Sequence, residues 1–219
     1  MCTTLVLTCT IGASISSFAG AREQAKRIHD RLVGIPPSSA VIDSMTAKVA
    51  AGDSIGAAME AMQDPAFYGT TLREFATPWT NRDGSVYVDL NDSTATVIGM
   101  IRDDVPFDQV LYEDIVYVGS AGVTNVPYSH TDNDHYVQLQ QGRVDLSDPA
   151  NLARQNQSAL PGGSIGATET AGIMTTRGYA EAFLVAGTNR AALHLATLNF
   201  MCMGMDDFRD VTAVPDHIR

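Results

Sequence analysis

Between residues 22 and 80 the chain is a run of short helical patterns broken by residues that cannot continue a helix, and this punctuation limits the fold more than any other feature. Ala25, Ile28 and Leu32 recur on one helical face, and Gly34 supplies the left-handed residue that ends the helix. Pro36 and Pro37 impose an extended link, because proline disfavours the helical region for the residue before it. Ser38 caps the next pattern, which carries Val41, Met45 and Val49 and stops at Gly52. Asp53 caps a third, with Ile55, Met59 and Met62 expected inward. Asp64 and Pro65 open a fourth, whose apolar face is Phe67, Leu72 and Phe75. Links this short make successive helices antiparallel neighbours, so the predicted class is mainly α, a multi-helix bundle.

β signal is sparse. A turn at residues 81–84 leads into the alternating run 85–90 (SVYVDL), and residues 115–118 form a second β-prone run. Together they predict at most a small two-stranded element. Asn91 opens a helix through Val97, Ile98 and Ile101, and Pro106 opens another with Phe107, Val110 and Leu111. Residues 119–172 are rich in Gly, Ser, Asn, Asp and Gln and read as a long irregular region, with helical turns near 133–141 and 148–158. A helix over about 175–185 follows, and Thr188 caps a last one, NRAALHLATLNFM. A helix apolar on nearly all sides is expected to be the buried centre. The expected organisation is a signal peptide at 1–21, an N-terminal helical domain at 22–118, a loop-rich connector at 119–172, and a truncated C-terminal helical segment at 173–219.

The signal-peptide reading rests on an uncharged, mostly apolar run at residues 5–15, followed by Ala19, Gly20 and Ala21 in small-x-small order, with Arg22 opening the mature chain. It implies the bacterial periplasm or exterior. The initial MCTT lacks the usual basic residues. The apolar run falls short of the roughly 20 residues a permanent span requires, so no permanent membrane span is expected. A formal net charge of -11 argues against a nucleic-acid partner, since phosphate contacts need concentrated Lys and Arg. Cys2 and Cys9 fall in the leader, leaving Cys202 as the lone mature cysteine, expected to be buried or paired outside this chain. Without a C-x-x-C pair, no covalent c-type haem site lies within these residues.

Several constellations carry possible chemistry. Gly162, Ser164 and Gly166 match the G-x-S-x-G nucleophile elbow, but QNQSALP before them is no strand, and a flexible glycine loop explains them better. His130, Asp132, Asp134 and His135 gather oxygen and imidazole donors that can hold a divalent cation, although Asp and Asn are also ordinary loop residues. Met201, Cys202, Met203 and Met205 offer soft sulfur ligands suited to Cu(I), or simple core filling. His194 is a candidate axial haem ligand toward a neighbouring domain. His29 reads as lying on a solvated helix face. No catalytic residue is assigned.

Two ordered stretches carry a resemblance. The first contains Leu32, Gly34, Pro36 and Pro37, then Arg102, Asp103, Pro106, Phe107, Asp108 and Gln109. The second contains Gly172, Thr175, Thr188, Asn189, Arg190 and Cys202. Together these stretches cover more than half of the mature chain, and they resemble the helical domains of unknown function found in large exported c-type-cytochrome proteins of Planctomycete type. The resemblance implies a haemless accessory or scaffold part supporting periplasmic electron transfer, with a haem-bearing domain or cytochrome as partner and haem c held downstream or in that partner. It carries over no catalytic residues. The alternatives are a metal-dependent or serine hydrolase using the 130–135 cluster or Ser164, and a structural or binding module of the cell envelope.

Overall fold

The computed structural model describes residues 20–163, 165–184 and 189–208. Most of the expected export signal, together with Ser164 and Thr188, lies outside the described residues. The first three helices form where the punctuation places them: α1 Ala21–Val33, α2 Ser39–Ala50 and α3 Ser54–Ala61. Gly34 ends α1 at φ 79° and donates its N–H to the Asp30 carbonyl. The Ser38 hydroxyl accepts from the Val41 N–H at 3.3 Å, and the Asp53 carboxylate accepts from the Gly56 N–H at 2.8 Å.

These helices pack around Ala25, Val33, Ile42, Met45, Val49, Ala57 and Ala61. The inward face of α3 is therefore its alanines. Ile55 is 79% exposed and Met59 is also exposed, contrary to expectation, while Met62 packs against the larger core. Small side chains at i and i+4 let a two-turn helix approach its neighbours closely, which turns the bulky residues outward. His29 is also corrected: it is buried, and its Nδ1 lies 3.0 Å from the Ile35 carbonyl across the α1–α2 link.

A π-helical turn, Phe67–Leu72, leads into the short α4, Arg73–Ala76. Phe67 and Leu72 are buried as expected, but Phe75 is not. The predicted β run at 85–90 joins no ladder. Side chains occupy its backbone groups instead: Arg73 donates to the Val88 carbonyl at 3.2 Å, and Gln140 accepts from the Leu90 N–H at 2.8 Å. The ladder that forms is antiparallel between β1 Val116–Gly119 and β2 Leu152–Gln155, with Tyr117 opposite Arg154. β2 thus occupies a stretch that reads as helical, because the free edge of β1 satisfies its amides better than an isolated turn would.

The buried centre is α5, Asp92–Arg102, whose residues from Asp92 to Met100 are all buried. Its neighbours are α4, α7 Arg177–Phe183 and both strands, and α6 Asp134–Gln141 packs on β1. The expected centre, α8 Asn189–Met201, lies at the surface, with Leu193 55% and Met201 55% exposed. α5 occupies the core because its small residues admit large neighbours and its hydroxyls find partners. The Thr96 Oγ1 accepts from the Tyr117 N–H at 3.1 Å, and the Tyr117 ring fills the space beside Gly99. The result is a mainly α protein with one small two-stranded sheet. No described helix is long and apolar enough to cross a membrane.

The contact at Gly99 makes a direct prediction. A methyl group there would land on the Tyr117 ring. Gly99→Ala is therefore expected to lower unfolding stability by about 3 kcal/mol through overpacking, read as a lower urea midpoint at unchanged slope.

Candidate functional site

Two helices begin at one carboxylate. Asp92 is the first residue of α5 and fully buried. Its Oδ1 accepts from the N–H groups of Ser93 at 2.9 Å and Gly178 at 2.8 Å. Its Oδ2 accepts from the Arg177 N–H at 2.7 Å and the Tyr128 hydroxyl at 3.2 Å. The first-turn amides of α5 and α7, otherwise without partners, thus converge on one negative charge, which both helix dipoles favour. Gly178 permits this approach, since a Cβ there would sit 2.9 Å from Oδ1. Ser93 and Thr176 meet through their hydroxyls at 2.5 Å. Burial first, then the Asp92 charge and hydrogen bond, push the Tyr128 hydroxyl well above its usual range, so it stays a donor.

In front of this junction lies an open polar cleft of about 470 Å³, reached by Arg82, Asp83, Asp89, Asp132, Arg177 and Glu181. Arg177 is already occupied, donating to Glu181 at 2.5 Å and Asn133 at 2.9 Å. With all its acceptor directions filled, Asp92 is a structural clamp between helices. The residues of this junction were not singled out in the sequence, although Asn-Asp followed by small hydroxyl residues at a helix start is a readable capping signal.

The 130–135 residues are neighbours in sequence with separate employment. His135 is buried, its Nε2 accepting from the Gly119 N–H at 2.9 Å while its Nδ1 meets the Val126 carbonyl at 2.7 Å. This pattern assigns the neutral tautomer protonated on Nδ1, with both ring nitrogens tied to backbone. Asp132 closes a loop on Ser129 at 2.6 Å and on the Asp134 N–H at 3.1 Å. Those hydrogen bonds hold its carboxyl below the ordinary carboxylate value. Asp134 opens α6. His130 stacks edge-on with Tyr128 and packs against Gly163, and its Nε2 is buried without a hydrogen-bond partner among the described residues. Among the described residues, no three His, Cys, Asp or Glu side chains converge as a metal site.

The C-terminal candidates share one surface. His194, Leu198 and Met201 are exposed at helical spacing on α8, flanked by Leu193. Cys202 follows at φ 53° as an exposed thiol, which overturns the buried alternative and leaves pairing outside this chain open. Met203 is half-buried, and Met205 opens a 3-10 turn, Met205–Phe208. Phe200 stacks on Trp79 with ring centroids 5.2 Å apart, and Trp79 meets Phe75 at 5.3 Å and Phe107 at 6.3 Å. This aromatic cluster was legible only as the i, i+4 pair Phe75 and Trp79.

Two outcomes follow from this geometry. Asp92→Asn places an amide against amide donors, and a loss of about 3 kcal/mol in chemical denaturation is expected. Burial holds His135 below its ordinary value of 6.5, against the Val126 carbonyl, which raises it. The unfolded chain then binds the proton more readily, so the His135 contribution is complete above pH 6.5 and declines as pH falls toward the folded pKa. Urea midpoints measured from about pH 8 to about pH 5 should fall more steeply for the wild type than for His135→Gln. No protein-family model matches the chain, and no curated protein or solved structure is significantly similar to it.

Proposed function

We propose that this chain is a haemless accessory part of an exported c-type cytochrome, supporting periplasmic electron transfer by packing against a haem-bearing domain or partner. The observation that supports it best is the outward face of α8. A helix apolar on nearly every side normally lies inside a core, yet Leu193, Leu198 and Met201 face outward here, with His194 among them. Such a face suits burial against another body, and the imidazole of His194 suits a role at a haem edge. The ordered resemblance to cytochrome-associated helical domains points the same way. The net charge of -11 adds that the partner is not a nucleic acid.

A second reading draws on one observation. His130 Nε2, without a hydrogen-bond partner among the described residues, lies against Gly163, and the residue that follows in sequence is Ser164, a pairing of types that suits a general base and a nucleophile.

The cytochrome reading is tested on protein purified from its native envelope. A c-type haem spectrum is expected to co-elute with the chain, and Leu198→Lys should abolish the co-elution while leaving the circular dichroism spectrum unchanged. A haem-free native preparation would sink the reading. For the hydrolase, Ser164→Ala and His130→Ala should each remove ester turnover. Turnover absent from the wild type, or equal in both variants, discards it. Metal analysis alongside Asp134→Ala covers the metal-dependent form.

A further inference from the structure

A second apolar surface lies at the far end of α5. Phe75 is 54% exposed and Phe107 40% exposed, and between them runs an open groove of about 630 Å³ floored by Met100, Ile101 and Val105. Trp79 stacks behind both phenylalanines, so the rings are held in place and an incoming side chain would meet a formed surface.

The charge around this groove has one sign. Asp104 stands at its lip and Asp108 follows Phe107, and both are exposed. No ion pair among the described residues neutralises either of them. Arg102, the cation of the adjacent turn, is committed elsewhere. Its Nε and Nη2 bind Asp103 at 2.7 and 2.9 Å, and its Nη1 donates to the carbonyls of Leu146 and Asp148.

The placement of Asp104 bears on its charge. It takes the left-handed position that ends α5, at φ 51°, where glycine is the unstrained choice. The Val105 N–H, bonded to the Met100 carbonyl at 2.9 Å, holds the chain in that conformation. Its carboxylate sits at the negative end of the helix dipole, beside a second carboxylate at Asp103. The left-handed backbone tolerates an aspartate, but the dipole disfavours its charge, and a cationic ligand would offset that.

We infer that the groove between Phe75 and Phe107 is a docking site for a basic segment of a partner protein, one that inserts an apolar side chain and flanks it with lysine or arginine. The apolar floor supplies affinity, and the carboxylates at the lip select for positive charge. The carboxylates also repel anionic lipid. This inference concerns a different surface from the outward face of α8 and stands whether or not the partner of that face bears haem.

Trp79 is the single tryptophan of the chain and reports directly on the groove. The probe is the tryptophan-free peptide acetyl-Lys-Lys-Leu-Phe-Lys-Lys-amide, titrated against the whole protein by fluorescence. A saturable change that weakens with salt is expected, with no binding of the same peptide carrying Glu for Lys. Asp104→Asn with Asp108→Asn should weaken binding about fivefold, and asparagine tolerates the left-handed backbone at residue 104. Asp104→Gly should weaken binding while raising the thermal midpoint, a pairing that a purely structural role would not give. The inference is overturned by an absent or non-saturable response, by equal binding of the two peptides, or by affinity unchanged in the asparagine variants. A fluorescence shift with phosphatidylcholine vesicles and none with peptide would assign the face to lipid and overturn it equally.

Discussion

The buried carboxylate of Asp92 is the joint on which the C-terminal half of the fold is hung. It accepts from three backbone amides and one phenol, so two helix N-termini and the Tyr128 loop share one acceptor. A buried charge is tolerable only when its hydrogen-bonding directions are filled, and this one is filled by groups that would otherwise lack partners. The mutual dependence gives the junction its specificity. α7 has seven residues, too few to be stable alone, and it is fixed at its first turn by a residue far back in the chain.

The same economy runs through the rest of the irregular region. Buried polar side chains replace the missing regular structure: His135 joins Gly119 to Val126, and Gln157 donates to the carbonyls of Ile115 and Gly172 at 2.9 and 2.7 Å. Each satisfies backbone groups that a loop would otherwise leave open. A stretch that looks loose in composition is therefore pinned at defined points, and His135, a candidate ligand in the sequence, acts there as a fastener alongside Gln157. Tyr117 plays a related part on the other side of α5. Its ring covers Gly99, and its hydroxyl donates to Asp103 at 2.8 Å. Burial pushes the Asp103 carboxyl up, but the Arg102 and Tyr117 hydrogen bonds together with the Arg102 charge outweigh it and hold the group below its ordinary value.

The surfaces available for partners are apolar and lie apart from this polar scaffold. α8 presents leucine and methionine outward, and the groove beside α5 presents phenylalanine with a carboxylate rim. In both places residues that read as core from their spacing are left exposed. Periodicity identifies an apolar face without saying whether the chain itself or another body covers it. The candidate sites were accordingly the least legible part of the sequence. His194 and the methionines stood out in the sequence, while Phe75 and Phe107 read as ordinary core.

Local chemistry was decisive wherever a few consecutive residues set the backbone. Gly34, Ser38, Gly52, Asp53 and Asn91 act in the structure where their conformational and capping preferences place them, because a cap or a left-handed turn is satisfied within a handful of residues. The mainly α class followed from these signals. Competition between distant segments settled the rest. The run at 85–90 has the residues of a strand, yet β1 pairs with 152–155, since Arg73 and Gln140 already hold the backbone of the first run. α8 has the residues of a central helix, yet α5 is central, because Gly99 and its paired hydroxyls admit Tyr117 and Asp92 brings α7 alongside. Sequence determined where elements begin and end. Only the tertiary structure decided which of them share a core, because burial depends on partners that no local pattern specifies.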